Sequence, residues 1–473
     1  MNYTNNNFTS IFLSCLPFVP NSDQSNLIAL LSDFISNKNE REIFVLKGYA
    51  GTGKTNMIGA LSKTLPSFKW KSVLLAPTGR AAKVLSNYSQ KPAQTIHKKI
   101  FIKIPTHDGG VAFALAENKH TNTIFIVDEA SMIGLDNPTS DSVYHSLLES
   151  LLEYVFSGTN CKLIMVGDTA QLPPIGSNES PALDLNYLKA SYHLQIKHVE
   201  LKQVARQQDA SGILKNATHL RECIDNFDGD FPKIRLHKDV IRLSGEDLED
   251  ALNNAYSNYG YNDVLLVTRS NKRANLFNQA VRARVRYMEE DLCSGDLMMV
   301  VKNNYYWLDE KSEAGFIANG DSLEIKKIIR RKEMYGFNFA ECVVKLCDYE
   351  NTPELNLTLL LDSIYTEVPS LTKEQQQQLF SNIMEDVNDE PIKSVRMNYL
   401  RKSPYFNALQ VKFNYSVTCH KAQGGQWPCV FIDQGYLTKE MLNKEYTRWL
   451  YTAFTRATKK VYLMNFSDDF FDV

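Results

Sequence analysis

The chain has 473 residues, a formal net charge of −2, 44% hydrophobic residues and 22% charged residues. Those proportions describe an ordinary globular chain with room for about three domains at roughly 100–200 residues each. They exclude a disordered or collagenous chain and a strongly basic tail, so any contact with a polyanion must come from local patches. The eight cysteines are scattered with no CxxC pair, which predicts reduced thiols and no zinc site. The early segment IFLSCLPFVP is short, broken by proline and preceded by no basic residue. It reads neither as a signal peptide nor as a membrane span, and a cytoplasmic location is expected.

Four apolar, β-branched-rich runs follow in order: EIFVLKG, SVLLAPT, TIFIVDEA and KLIMVGD. Each ends in a polar or glycine cluster, with helical patterns such as TNMIGALSKTL between them. That alternation predicts parallel strands with crossover helices. Residues 98–122 hold two alternating runs around Asp108-Gly109-Gly110, the pattern of a β-hairpin. A second α/β series appears in DVLLVTRSN, FNYSVTCHKAQG, PCVFIDQG and KKVYLMNF. Residues 321–404 interrupt it with β-like runs and one helix, opening at Thr372 with the capping pattern T-x-x-Q. The predicted fold class is therefore α/β: two lobes with parallel sheets, a small β-hairpin insert and a β-rich accessory insert.

The first lobe carries a nucleotide motif. GYAGTGKT, from Gly48 to Thr55, fits G-x-x-x-x-G-K-[ST] after a strand and before a helix. Backbone N–H groups of Gly48, Gly51, Thr52 and Gly53 and the helix start would cradle phosphates. Lys54 would reach the β/γ oxygens, and the Thr55 hydroxyl would bind Mg²⁺. Asp128-Glu129 ends a strand: Asp128 would hold Mg²⁺, and Glu129 would orient or deprotonate the attacking water. The next strand ends at Asp168, and Gln171 in the proline-stiffened loop TAQLPPIGS would sense the γ-phosphate. The expected cofactors are ATP and Mg²⁺.

With VDEAS, VGDTAQLPPIGS, TCHKAQG and YTAFTRA in this order after the P-loop, the chain resembles the superfamily 1 DNA helicases of the RecD and Dda type over roughly residues 22–465. LAPTGRAAKVLS and TIH look like that family's DNA-contacting segments, VELKQVARQ like its fourth motif, and GDLMMVVKNNYYW followed by ANGD like a RecD-type signature. The resemblance implies two RecA-like lobes with ATP between them: a first lobe at 1–97 and 123–200, and a second at 201–320 and 405–473. A pin or wedge hairpin would occupy 98–122, and an SH3-like accessory insert 321–404. Gln24 would recognise adenine; Arg206 and Arg456 would come from the second lobe to the γ-phosphate; Gly424 would line the nucleotide. Single-stranded DNA would run over Pro77, Thr78, Arg80, Thr95 and His97 in the first lobe, and over Asn271, Asn319, Thr418, His420 and Lys421 in the second. Trp307 and Trp427 are weaker stacking candidates, Phe113 is a possible hairpin contact, and KKIIRRK at 326–332 reads first as solvated sheet-edge charge. Ala422 departs from the serine often found in relatives.

The expected activity is ATP-dependent, 5′ to 3′ translocation on single-stranded DNA with unwinding of ss/ds junctions by a monomer. An RNA-directed motor and a P-loop ATPase that remodels proteins are the alternatives.

Overall fold

The computed structural model describes residues 2–37, 39–105, 111–135, 146–203, 211–309, 312, 315–349, 352–368 and 370–472, and for 2–6, 103–105 and 111–112 the backbone alone is described. The first lobe opens with β1 (Glu42–Gly48), β2 (Lys71–Ala76) and β3 (Ala93–Thr95). The hairpin β4 (Phe101–Pro105) and β5 (Val111–Leu115) follows, then β6 (Thr121–Val127), β7 (Thr159–Gly167) and β8 (Gln195–Leu201). Without the hairpin, these strands form one sheet in the order β3-β2-β6-β7-β1-β8, and its neighbouring strands pair in parallel. β1, β6 and β7 are buried along most of their length because helices cover both faces, which is why they read as unbroken apolar runs. The hairpin's tip, Asp108-Gly109-Gly110, lies outside the described residues.

The second lobe contributes β9 (Val240–Leu243) and β10 (Val264–Thr268). Next come β11 (Leu297–Val300), β12 (Ser322–Met334), β13 (Phe337–Leu346), β14 (Leu355–Leu360) and β15 (Leu409–Phe413), and finally β16 (Ser416–Thr418), β17 (Trp427–Asp433) and β18 (Ala457–Met464). A parallel sheet runs β16-β10-β17-β18-β9, and β11 to β15 close into a barrel. The barrel closes only by drawing β11 from before the 321–404 segment and β15 from after it. The run FNYSVTCHKAQG is accordingly split: Phe413 ends the barrel strand, and Ser416 begins a short strand of the lobe sheet. After the barrel strands, Thr372 caps the helix Lys373–Glu385 in a complete capping box with Gln375. In the basic run, Lys326 pairs with Glu324, Arg330 and Lys332 with Glu341, and Arg331 with Glu290, so most of its charge is matched by acids on β12, on β13 and in the segment before β11.

Barrel and lobe are joined by a buried ion pair. Arg282 and Asp296 are 5% and 0% exposed, and Arg282 Nε and a terminal nitrogen reach the two carboxylate oxygens at 2.9 and 3.0 Å. Tyr415 Oη and the Cys293 N–H also donate to Asp296. Removing one partner of such a pair strands a buried charge. Asp296→Ala should lower stability by about 3–5 kcal/mol, measured as a fall in the denaturant midpoint of unfolding.

Candidate nucleotide and nucleic-acid site

β1 delivers the P-loop to the first-lobe sheet's C-terminal edge, and the helix Lys54–Thr64 leaves from it. Gly53 sits at φ 86°, and a Cβ there would lie 2.9 Å from Gln24 Nε2, so glycine is required both for the left-handed turn and for the close approach. Gln24 is 1% exposed. Its Oε1 accepts from Asn21 N–H in a capping box, and its Nε2 donates to Thr52 O at 2.9 Å. It thus grips the loop backbone from the start of the helix Ser22–Ser36. Lys54 Nζ donates to Gly48 O at 2.6 Å and Tyr49 O at 3.0 Å, lying along the loop that a phosphate would fill. Thr55 is half-buried at the helix start.

Asp128 and Glu129 leave the end of β6, beside the P-loop strand's neighbour β7. Burial and the adjacent Glu129 charge push the Asp128 carboxyl up to about 7, opposed by the Glu129 N–H and by Lys54. Glu129 itself takes φ 52°. At the end of β7, Asp168 is 1% exposed, and burial raises its carboxyl pKa against the pull of Lys54. Gln171 is 6% exposed, and its Oε1 has no hydrogen-bond partner among the described residues. A cavity of about 360 Å³ adjoins it, walled by Lys47, Tyr49, Asp168 and Gln171 from the first lobe and by Lys444 and Arg448 from the second. Lys54 and Asp128 do not line it, so it neighbours the phosphate cradle rather than being it.

The second lobe meets this edge through the helix Lys444–Phe454, eight of whose residues are buried. Leu172 N–H donates to Thr452 Oγ1 at 2.9 Å, and Leu172 O accepts from Gln423 Nε2 at 2.7 Å. Tyr451 Oη accepts from Ala50 N–H at 2.9 Å and donates to Asp168 Oδ2 at 2.6 Å. Arg448 donates to Asn178 O at 2.6 Å. Arg456, 3% exposed, follows the helix end; its guanidinium donates to the Thr452 and Gly425 carbonyls. Gly424 packs on the first lobe at φ 74°, where a Cβ would lie 2.9 Å from Ala81 Cβ. Arg206 lies outside the described residues. The motif YTAFTRA contains Tyr451 and Thr452 but gave a role only to Arg456, and Arg448 lies outside the motifs. The available signal was their i, i+3, i+4 spacing, which puts three hydrogen-bonding side chains on one face of a largely buried helix.

A family model described as an AAA domain matches residues 29–225, and one described as a UvrD-like helicase C-terminal domain matches residues 413–464. The ATP-dependent DNA helicase Dda of Enterobacteria phage T4 is 25% identical over 445 residues, 88% of this chain and 95% of Dda. The ATP-dependent RecD2 DNA helicase of Deinococcus radiodurans is 30% identical over 179 residues, 37% of this chain and 21% of RecD2. Among solved structures, the Pif1 helicase from Bacteroides in complex with ADP-AlF3 and ssDNA aligns over 96% of this chain and 95% of that chain, at 14% identity and TM-score 0.46. The chain belongs to the superfamily 1 helicases of the Dda and RecD type.

In this helicase the expected DNA-contacting residues fall at two strand-end edges. Pro77, Thr78 and Arg80 follow β2, while Thr95 ends and His97 follows the parallel neighbour β3. Asn271 follows β10, while Thr418, His420 and Lys421 follow or end its parallel neighbour β16. Thr78 and Thr95 cap the helices that start there. His97 Nε2 is enclosed with no partner among the described residues, and burial lowers the ring to about 4. Burial also lowers His420. Asn319 is exposed, on the loop after β11. Arg80 stacks 4.0 Å over the Trp427 ring, and Trp427 is 4% exposed, so that tryptophan packs the seam between lobes. Trp307 donates to Asn407 O. Phe113 of the hairpin packs 4.7 Å from Tyr305.

Gly424→Ala should force the lobes apart: the left-handed backbone alone costs about 1–2 kcal/mol, and the new methyl meets a rigid one. Small-angle scattering should show a larger radius of gyration. Gly229→Ala, at φ 84° with nothing within 4 Å, carries the strain without the clash and should leave the radius unchanged.

Proposed function

We propose that the chain hydrolyses ATP between its lobes to travel 5′ to 3′ along single-stranded DNA and displace the complementary strand, acting as a monomer. The observation that carries this reading is that the helix leading to Arg456 contacts both the P-loop backbone and Asp168 across the lobe boundary. A nucleotide gripped there is sensed by both halves, and differential contact before and after hydrolysis moves one against the other. Dda and RecD2, both described as ATP-dependent DNA helicases, support the choice of DNA; the polarity follows from the same family resemblance.

The roles divide by lobe. Lys54 and the loop amides bind phosphate, Glu129 orients water, and Gln171 brings an unpaired buried oxygen to report on the γ-phosphoryl group. Arg456, with Arg206, offers guanidinium hydrogen bonds as negative charge spreads in the transition state. Gln24 and Gly424 flank the nucleotide. Mg²⁺ suits a hydroxyl and carboxylate donor set, and Thr55 and Asp128 would hold it. When bound it would screen phosphate charge, and holding it would require Asp128, whose carboxyl burial raises, to release its proton to solvent. The two strand-end edges would hold DNA phosphates, where open α/β sheets take their ligands.

The deciding experiment is unwinding of matched duplexes carrying a 5′ or a 3′ single-stranded tail, with and without ATP. Unwinding of the 5′-tailed duplex alone is expected. ATP turnover that does not rise with single-stranded DNA would point instead to a protein-remodelling ATPase. Arg456→Ala should retain ATP binding and lose about 10³-fold in kcat. Lys421 is lowered to about 8 by burial and the Lys412 charge. The charged form that holds phosphate is complete below that pH and lost above it, so DNA affinity should fall as pH rises through about 8. Lys421→Ala should remove this limb and lower the salt slope of single-strand binding by about 0.7.

A further inference from the structure

Tyr451 belongs to none of the roles above, yet it is 1% exposed and joins three parts of the machine. It sits in the second-lobe helix Lys444–Phe454. Its hydroxyl is the one atom that both accepts from the P-loop amide of Ala50 and donates to the Asp168 carboxylate. Ala50 and Asp168 lie at the ends of β1 and β7, which are adjacent strands. Asp168 Oδ1 is taken by the Ala170 N–H at 2.9 Å, which fixes the start of the loop carrying Gln171.

We propose that Tyr451 is a positioning residue that transmits lobe docking to the nucleotide site, by tying the P-loop backbone and the Asp168–Gln171 loop into one hydrogen-bonded chain. The inference rests on the ATP-driven reading above and names the contact that couples the two lobes. When the helix is seated, the P-loop amide and the carboxylate are both satisfied, and the loop bearing Gln171 is held in register with the phosphate cradle. When the helix lifts, both groups lose their shared partner and the two loops move independently. Burial and the Asp168 charge raise the phenol far above its ordinary pKa, so the hydroxyl keeps the proton it donates.

Tyr451→Phe keeps the ring and its packing while deleting the hydroxyl. With saturating single-stranded DNA, kcat for ATP should fall at least tenfold while the KM for ATP stays within about twofold. A purely structural tyrosine would instead lower the melting temperature and leave the turnover of folded protein intact. In the background of Asp168→Asn the same substitution should cost markedly less, because one hydrogen-bonded unit is being broken twice. Wild-type kcat in Tyr451→Phe, or fully additive losses in the double variant, would overturn the inference.

A readout independent of activity separates this idea from the helicase reading. In the nucleotide-free protein, amide hydrogen exchange in a peptide spanning the P-loop should quicken in Tyr451→Phe, because Ala50 N–H loses its acceptor. Unchanged exchange there would overturn the coupling role even in an active helicase. A wild-type enzyme whose ATP turnover ignores DNA, together with faster exchange in Tyr451→Phe, would keep the role and sink the helicase reading.

Discussion

The two lobes are organised around the backbone of one residue. Leu172 is 1% exposed, in a loop followed by Pro173 and Pro174, which have no N–H to offer. Buried backbone groups have to be paired, and no regular element of the first lobe does it here. Its N–H goes to Thr452 and its carbonyl receives Gln423, both from the second lobe. A loop that cannot satisfy itself makes the second lobe a structural requirement of the first, and it is the loop that carries Gln171.

The same seam explains side chains that motif matching alone assigns elsewhere. Arg80, expected to face DNA, lies over Trp427 and reaches Ser322 at 3.5 Å. Lys83, one turn on, donates to Cys347 O on the barrel side. Gly424 is a close-approach residue between lobes as much as a nucleotide neighbour. The segments after β2 and around Gly424 therefore meet each other directly, and a strand of DNA bound along these edges would feel the opening and closing of the lobes. Packing of Phe113 against Tyr305 likewise ties the hairpin to the segment after β11, so the hairpin is linked to the second lobe as well as rooted in the first.

How much could be read in advance follows from the range of the interactions. The P-loop, the acidic pair and the Thr372 capping box are contiguous chemistries, set by spacings of a few residues, and the structure forms the strand, helix and cap they predict. The two lobes and the hairpin were legible because strand periodicity is local too. The barrel's closure was not: LMMV and LQVKF look like lobe strands, and their pairing with each other and with β12 and β14 makes them barrel staves. Tyr451 and Asp168 meet across 283 residues, and Gln423 and Leu172 across 251. No window along the chain contains such a pair. A tyrosine beside Trp449, Leu450 and Phe454 looks like core until its partner in the other lobe is seen.

The chemistry of the seam also suits a part that must come apart. Apolar burial is non-directional and grows with area, so a wide greasy interface would hold the lobes together in every nucleotide state. Hydrogen bonds between lobes contribute only about 0.5–1.5 kcal/mol each net, because water replaces them on opening, yet leaving one buried and unpaired costs more. The five such bonds here, two to Leu172 and one each to Ala50, Asp168 and Asn178, are therefore demanding about geometry and modest in total strength beside the apolar packing of Tyr49, Ala170 and Leu172 on the second-lobe core. The hydrogen-bonded share of the free energy separating docked from undocked lobes falls within what a ligand's unequal affinity for two states can supply. That balance allows a phosphoryl group arriving or leaving at the P-loop to decide which state prevails.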